Sequence, residues 1–132
     1  HGNAKESITI TVNQKFERLS LLHAVNKIYN YQLRDIHKYK KITPAIYELT
    51  YEDGTKATLP LTLRKNINEW NDVMLAKECE PGIFGSMEHQ LQVNIPIYTW
   101  VNPFPAKKVK SLTIRSGNDK NMNLYLFGAS LD

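Results

Sequence analysis

Short runs in which apolar and polar residues alternate dominate this sequence and constrain its fold more than any other feature. Successive side chains of a strand point to opposite faces of a sheet, so a period of two is typical of half-buried strands. No segment carries a helical stripe over a dozen residues. The predicted strands are residues 8–12, 18–24, 45–51, 56–61, 73–78, 91–100, 109–116 and 124–131.

This pattern of about eight short strands predicts an all-β protein, an antiparallel β-sandwich of jelly-roll type. The clearest turn is Asp53-Gly54, which lies between two alternating runs and predicts a hairpin, because glycine readily adopts the positive φ that such turns need. Residues 66–72 are rich in asparagine and predict a turn, residues 80–82 predict another, and residues 83–89 are expected to be irregular.

The segment Tyr98-Thr-Trp-Val-Asn-Pro-Phe-Pro105 predicts a strand that stops at a stiff corner. Proline fixes φ and cannot donate to a ladder, so Pro103 and Pro105 end the strand and direct the chain into the next one. Trp100, beside this corner, is expected to cap the core. Pro96, inside the strand, indicates an edge position or a bulge.

The length of 132 residues predicts one domain, residues 1–132, with a single core. The sequence begins at His1-Gly2 rather than at methionine, so we expect a processed terminus, a tag remnant or a domain excised from a longer chain. No run is long and apolar enough to predict a membrane span. One cysteine, Cys79, excludes an internal disulfide, and its neighbours Glu78 and Glu80 favour a structural role.

Motifs for catalysis and for cofactors are absent from the sequence. There is no Gly-x-Ser-x-Gly elbow and no phosphate-binding glycine pattern, so we expect no enzymatic activity and no cofactor. The four histidines stand apart from one another, so no metal site is predicted, although a calcium ion held by loop carbonyls stays open. Nearby carboxylates such as Glu69 and Asp72 are not distinctive in a chain with 13 acidic residues.

Residues 29–43 form a polar, basic and tyrosine-rich segment without periodicity, which predicts a long loop of the kind that often binds ligands. Aromatic faces pack on sugar rings and polar side chains bind hydroxyls, so this composition suits carbohydrate. It also suits nucleic acid, through stacking and phosphate contacts, or a loop that is only structural. The candidate ligand-binding residues are Tyr29, Tyr31, Arg34 and His37 from this loop, with Trp70 as a platform.

Five landmarks follow one another along almost the whole chain: Leu22-His-Ala24, Tyr51-Glu-Asp-Gly54, Asn66-Ile-Asn-Glu-Trp70, Trp100-Val-Asn-Pro-Phe-Pro105 and Val109-Lys-Ser-Leu-Thr-Ile-Arg-Ser116. Their order resembles that of galactose-binding-domain-like jelly-roll modules attached to bacterial glycoside hydrolases and related surface proteins.

This resemblance implies a non-catalytic accessory module that binds carbohydrate and works outside the cytoplasm, at the cell surface, in the periplasm or in the medium. It also implies a partner, the catalytic domain of the same longer chain. The alternatives are a structural or protein-interaction module that docks on a larger enzyme and, more weakly, a nucleic-acid-binding module. One tryptophan rather than two follows the turn at Asn66-Ile67, which departs from the family pattern.

Overall fold

A computed structural model describes residues 7–27, 42–72, 74–86, 92–118 and 122–132. These ranges contain strands and turns and no helix. The strands are β1 (Ser7–Gln14), β2 (Arg18–Lys27), β3 (Ala45–Tyr51), β4 (Lys56–Pro60), β5 (Cys79–Ser86), β6 (Gln92–Val101), β7 (Val109–Ser116) and β8 (Met122–Leu131).

The strands form two four-stranded sheets. The first has the order β1-β7-β3-β4 and the second the order β5-β6-β2-β8, and every neighbouring pair is antiparallel. The predicted antiparallel β-sandwich of eight strands is therefore confirmed. The jelly-roll connectivity stays a prediction.

The core consists of inward-facing side chains from both sheets. Along β3 every second residue is buried, which follows directly from the alternation in its sequence. Trp100 packs against this core from β6, as expected from its place in the sequence. The core residues are Phe16, Leu19, Leu21, Val25, Ala45, Tyr47, Leu49, Tyr51, Leu59, Leu61, Leu63, Ile67, Val109, Leu112 and Met122.

The β3–β4 hairpin forms where Asp53-Gly54 predicts it. Gly54 has a φ of 90°, a conformation that side chains disfavour, and its amide donates to the Tyr51 carbonyl. The Asp53 carboxylate accepts hydrogen bonds from the amide and the hydroxyl of Thr55 and pairs with Lys107 at 2.9 Å. These contacts lower the pKa of Asp53 well below its usual value, first through the Thr55 hydroxyl.

The corner after β6 is held by the side chain of Asn102, which is buried. Its amide donates to the Phe16 carbonyl at 2.8 Å, and its oxygen accepts from the Tyr51 hydroxyl at 2.6 Å and from the Phe104 amide. Lys107 lies over the Phe104 ring at 4.6 Å. One asparagine thus joins the turn before β2, the end of β3 and the proline corner, so the corner is a structural feature.

The fifth strand is not where the sequence predicts it. Residues 73–78 were expected to form a strand, but the described part of this segment has irregular and turn structure, and the amides of Lys77 and Glu78 donate to the carbonyls of Arg64 and Lys65. The strand is instead Cys79–Ser86, across the predicted turn at residues 80–82 and part of the predicted irregular segment.

Proline and glycine are tolerated in β5 because it is an edge strand with an irregular register. The pairing with β6 shifts between Pro81 and Ile83, and Pro81 lies opposite Pro96. A Cβ on Gly82 would lie 2.5 Å from both the Ile95 carbonyl oxygen and a methyl of Leu22, so only glycine fits there. Turn-forming residues mark a bulge here rather than a turn.

Candidate functional site

Of the predicted ligand-binding residues, the structure describes Trp70. The other four, Tyr29, Tyr31, Arg34 and His37, lie outside the described residues, and their roles stay predictions. The segment that contains them directly follows β2 in sequence, and Trp70 contacts Val25 and Asn26 near the end of β2. Trp70 is therefore the starting point for locating a site.

The segment that carries Trp70 is wedged between two strands of the second sheet. The amide of Val25 in β2 donates to the Asn68 carbonyl, and the amide of Trp70 donates to the Val25 carbonyl at 3.0 Å. On the other side, the amide of Asn94 in β6 donates to the Trp70 carbonyl at 2.7 Å. β2 and β6 pair directly only through residues 18–22 of β2. Further along β2, residues 68–70 lie between the two strands and bridge them.

A buried asparagine holds this wedge in place. The Asn68 side-chain amide donates to the carbonyls of Glu69 and Asn94, both at 2.9 Å, and its oxygen accepts from the Ala76 amide at 3.0 Å. Asn94 is also buried, and its side chain donates to the Asp72 carbonyl. Buried amides of this kind fix one conformation, because each unmade hydrogen bond would be costly.

The Trp70 indole is partly buried and has a fixed partner. Its Nε1 donates to Oδ1 of Asn26 at 3.2 Å. In β2, Leu21, His23 and Val25 face the core, so alternation places Asn26 on the outer face of the second sheet. The indole therefore lies by this outer face. Its N–H group is already hydrogen-bonded to Asn26, and the rest of the indole is apolar.

Three residues of β8 extend this outer face, and the sequence alone did not single them out. Asn123 pairs with Asn26, and Tyr125 pairs with Ala24, the next outward position of β2. The Tyr125 and Phe127 side chains are 43% and 53% exposed, and their ring centroids are 6.4 Å apart. We name this region the β2–β8 face, defined by Asn26, Trp70, Asn123, Tyr125 and Phe127.

Beneath this face lies a fully buried titratable group of the core, His23. Its ring stacks on the Tyr47 ring with an interplanar angle of 8°. The Asn66 carbonyl can only accept, so His23 Nε2 donates to it at 2.9 Å, and Nδ1 then accepts from the Tyr47 hydroxyl at 2.9 Å. Burial lowers the pKa of His23 from its ordinary value of 6.5 to about 4, so the ring is neutral at pH 7.

Two further groups with reactive side chains, Asp72 and Cys79, are engaged in hydrogen bonds or protonated. Asp72 is buried and held by Arg64 through two hydrogen bonds of 3.0 and 3.1 Å. Burial, together with the charge of Glu78, raises the pKa of Cys79 to about 12, so this thiol is protonated at neutral pH. Within the described ranges, no three histidine, cysteine or acidic side chains cluster as metal ligands would.

Comparison with protein-family models, curated proteins and solved structures finds no match for this chain. The similarity to galactose-binding-domain-like modules thus stays a prediction carried by the sequence landmarks. Among the described residues, no helix has the length and apolar character needed to cross a bilayer.

Proposed function

We propose that this chain is a non-catalytic β-sandwich module that binds carbohydrate and accompanies a glycan-processing enzyme outside the cytoplasm. The observation that carries the proposal is the Trp70 indole, fixed by Asn26 on the β2–β8 face. Its partner in this role is the catalytic domain of the same longer chain. The module itself brings the enzyme to its substrate and performs no chemistry.

The composition of the β2–β8 face supports a sugar ligand. Pyranose rings have apolar faces that pack on aromatic rings, and their hydroxyls need hydrogen-bonding partners. Trp70 and Tyr125 offer aromatic surface, while Asn26 and Asn123 place two amide side chains opposite each other on adjacent strands. An amide both donates and accepts, so a pair of amides can bind neighbouring hydroxyls.

Replacing Trp70 with alanine is expected to weaken glycan binding at least tenfold, because the variant loses the aromatic platform. Wild-type protein and Trp70→Ala would be compared on an array of neutral glycans, with circular dichroism to verify folding. Phe84→Ala is the matched control, since Phe84 is an exposed aromatic residue on the opposite edge strand of the same sheet. Equal binding by Trp70→Ala and wild type would place the site elsewhere.

A second candidate function is docking on a larger enzyme, and the exposed apolar residues of β5 favour it. Ile83 and Phe84 are exposed on this edge strand. If this edge contacts a catalytic domain, Phe84→Ser should weaken the association of the two domains expressed as separate chains at least fivefold, measured by calorimetry, and leave glycan binding unchanged. An unaltered association would exclude this edge as the docking surface.

A further inference from the structure

The structure extends the proposed sugar site along β8. The pairing of β8 with β2 shifts between Leu22 and His23: Leu22 pairs with Gly128, but His23 pairs with Leu126. Phe127 is therefore the extra residue of a β-bulge. Bulges redirect side chains and recur next to functional sites. Here the bulged residue keeps its ring exposed and close to that of Tyr125.

Open space lies at Gly128, the residue that follows Phe127 in β8. A Cβ built on Gly128 meets no atom within 4 Å, and its backbone does not have the positive φ that would require glycine. Neither the backbone conformation nor steric crowding therefore explains this glycine. A glycine inside a strand often marks a bulge, such as the one at Phe127, or a place where a ligand approaches the backbone closely, and the open space at Gly128 allows that approach.

The chemistry of this surface selects against charged ligands. From Asn123 to Ser130 the chain has no charged residue, although the protein as a whole has a net charge of +4. The outward side chains of β2 from Ser20 to Asn26 are also uncharged. A phosphate, sulfate or uronate would find no cation among these outward positions of β2 or between Asn123 and Ser130, whereas a neutral sugar would find amides, a hydroxyl and aromatic rings.

Distance along the strand sets the size of the ligand. Trp70 lies by Asn26, opposite Asn123, and Gly128 is five residues further along β8, or about 17 Å in an extended strand. A single pyranose ring is much shorter than this. An aromatic ring at each end of such a path, with open space at Gly128, suits several linked sugars.

We propose that the β2–β8 face binds a neutral glycan chain of several sugar residues, which runs along β8 from Trp70 and Asn123 to Phe127 and Gly128. This inference rests on the proposed carbohydrate-binding function and adds the ligand class: an internal stretch of an uncharged polysaccharide, rather than a terminal monosaccharide or an anionic glycan.

The test fills the open space at Gly128. Wild type and Gly128→Val are titrated with gluco-, manno-, galacto- and xylo-oligosaccharides of one to six residues. Valine favours strands and its Cβ meets no atom within 4 Å here, so the variant should fold normally, as checked by thermal unfolding. Gly85→Val is the matched control, because a Cβ on Gly85, in β5 at the other edge of this sheet, also meets no atom within 4 Å.

We expect the affinity of the wild type to rise at least tenfold as the ligand grows from one to four sugar residues. Gly128→Val should lose most of this gain, and Gly85→Val should retain it. Equal affinity for one and four residues, or full retention of the gain in Gly128→Val, would overturn the extended site and leave the carbohydrate-binding function standing. Binding restricted to heparan sulfate or polygalacturonate would overturn the neutral ligand class. No glycan binding by the wild type would overturn the function itself.

Discussion

Lowering the pH from 7 to 5 is expected to reduce the free energy of unfolding by about 2 kcal/mol, because His23 must stay neutral in the folded protein. Its pKa is about 4 when folded and 6.5 when exposed to water, so the unfolded chain takes up a proton first. The stability that depends on neutral His23 is therefore fully present above pH 6.5, and it is lost as the pH drops toward 4. Carboxylates contribute little in this window, since their ordinary pKa values lie below it.

Urea unfolding at pH 7, 6 and 5 measures this loss, and the variant His23→Gln identifies its source. Glutamine does not titrate, so the variant should be less stable at pH 7 but nearly independent of pH across this window. His1, His37 and His89 remain in the variant and serve as an internal control. If the free energy of unfolding of His23→Gln fell with pH as steeply as that of the wild type, another group would be the source of the pH dependence.

The sequence predicts those parts of the fold that depend on local patterns. Alternation identifies β3 and β7 within their observed bounds, and Asp53-Gly54 identifies the hairpin between β3 and β4, because both signals act within a few residues. The position of β5 was missed for the same reason. Pro81 and Gly82 indicate a turn locally, and only the pairing with β6 turns them into a bulge at a sheet edge.

The candidate site depends on contacts between distant segments, and these are not visible in local patterns. The sequence predicts Trp70 as a platform, a role that stays a prediction, but it does not indicate the partner Asn26, which is 44 residues away. Tyr125 and Phe127 belong to a largely apolar strand. Its inward and outward residues can be assigned only once the bulge in its pairing with β2 is known. His23 likewise appears isolated in sequence, although Tyr47 and Asn66 enclose it in the fold.

The second large effect is expected for Asn68→Ala, which should lower the free energy of unfolding by about 3 kcal/mol. The change removes three hydrogen bonds and leaves the buried Ala76 amide without its acceptor. Urea unfolding at pH 7 measures the loss. Asn71→Ala is the matched control, because Asn71 lies in the same segment with an exposed side chain, and it should change stability by less than about 0.5 kcal/mol.

The same substitution connects stability to binding, because Asn68 holds the wedge that positions Trp70. Trp70 keeps its indole in Asn68→Ala, so a glycan site built on the fixed position of that ring should still lose affinity under conditions where the variant is folded. Asn71→Ala should bind as the wild type does. If Asn68→Ala were destabilised but bound glycan normally, the wedge would serve only the fold, and the Asn26 contact alone would position the Trp70 ring.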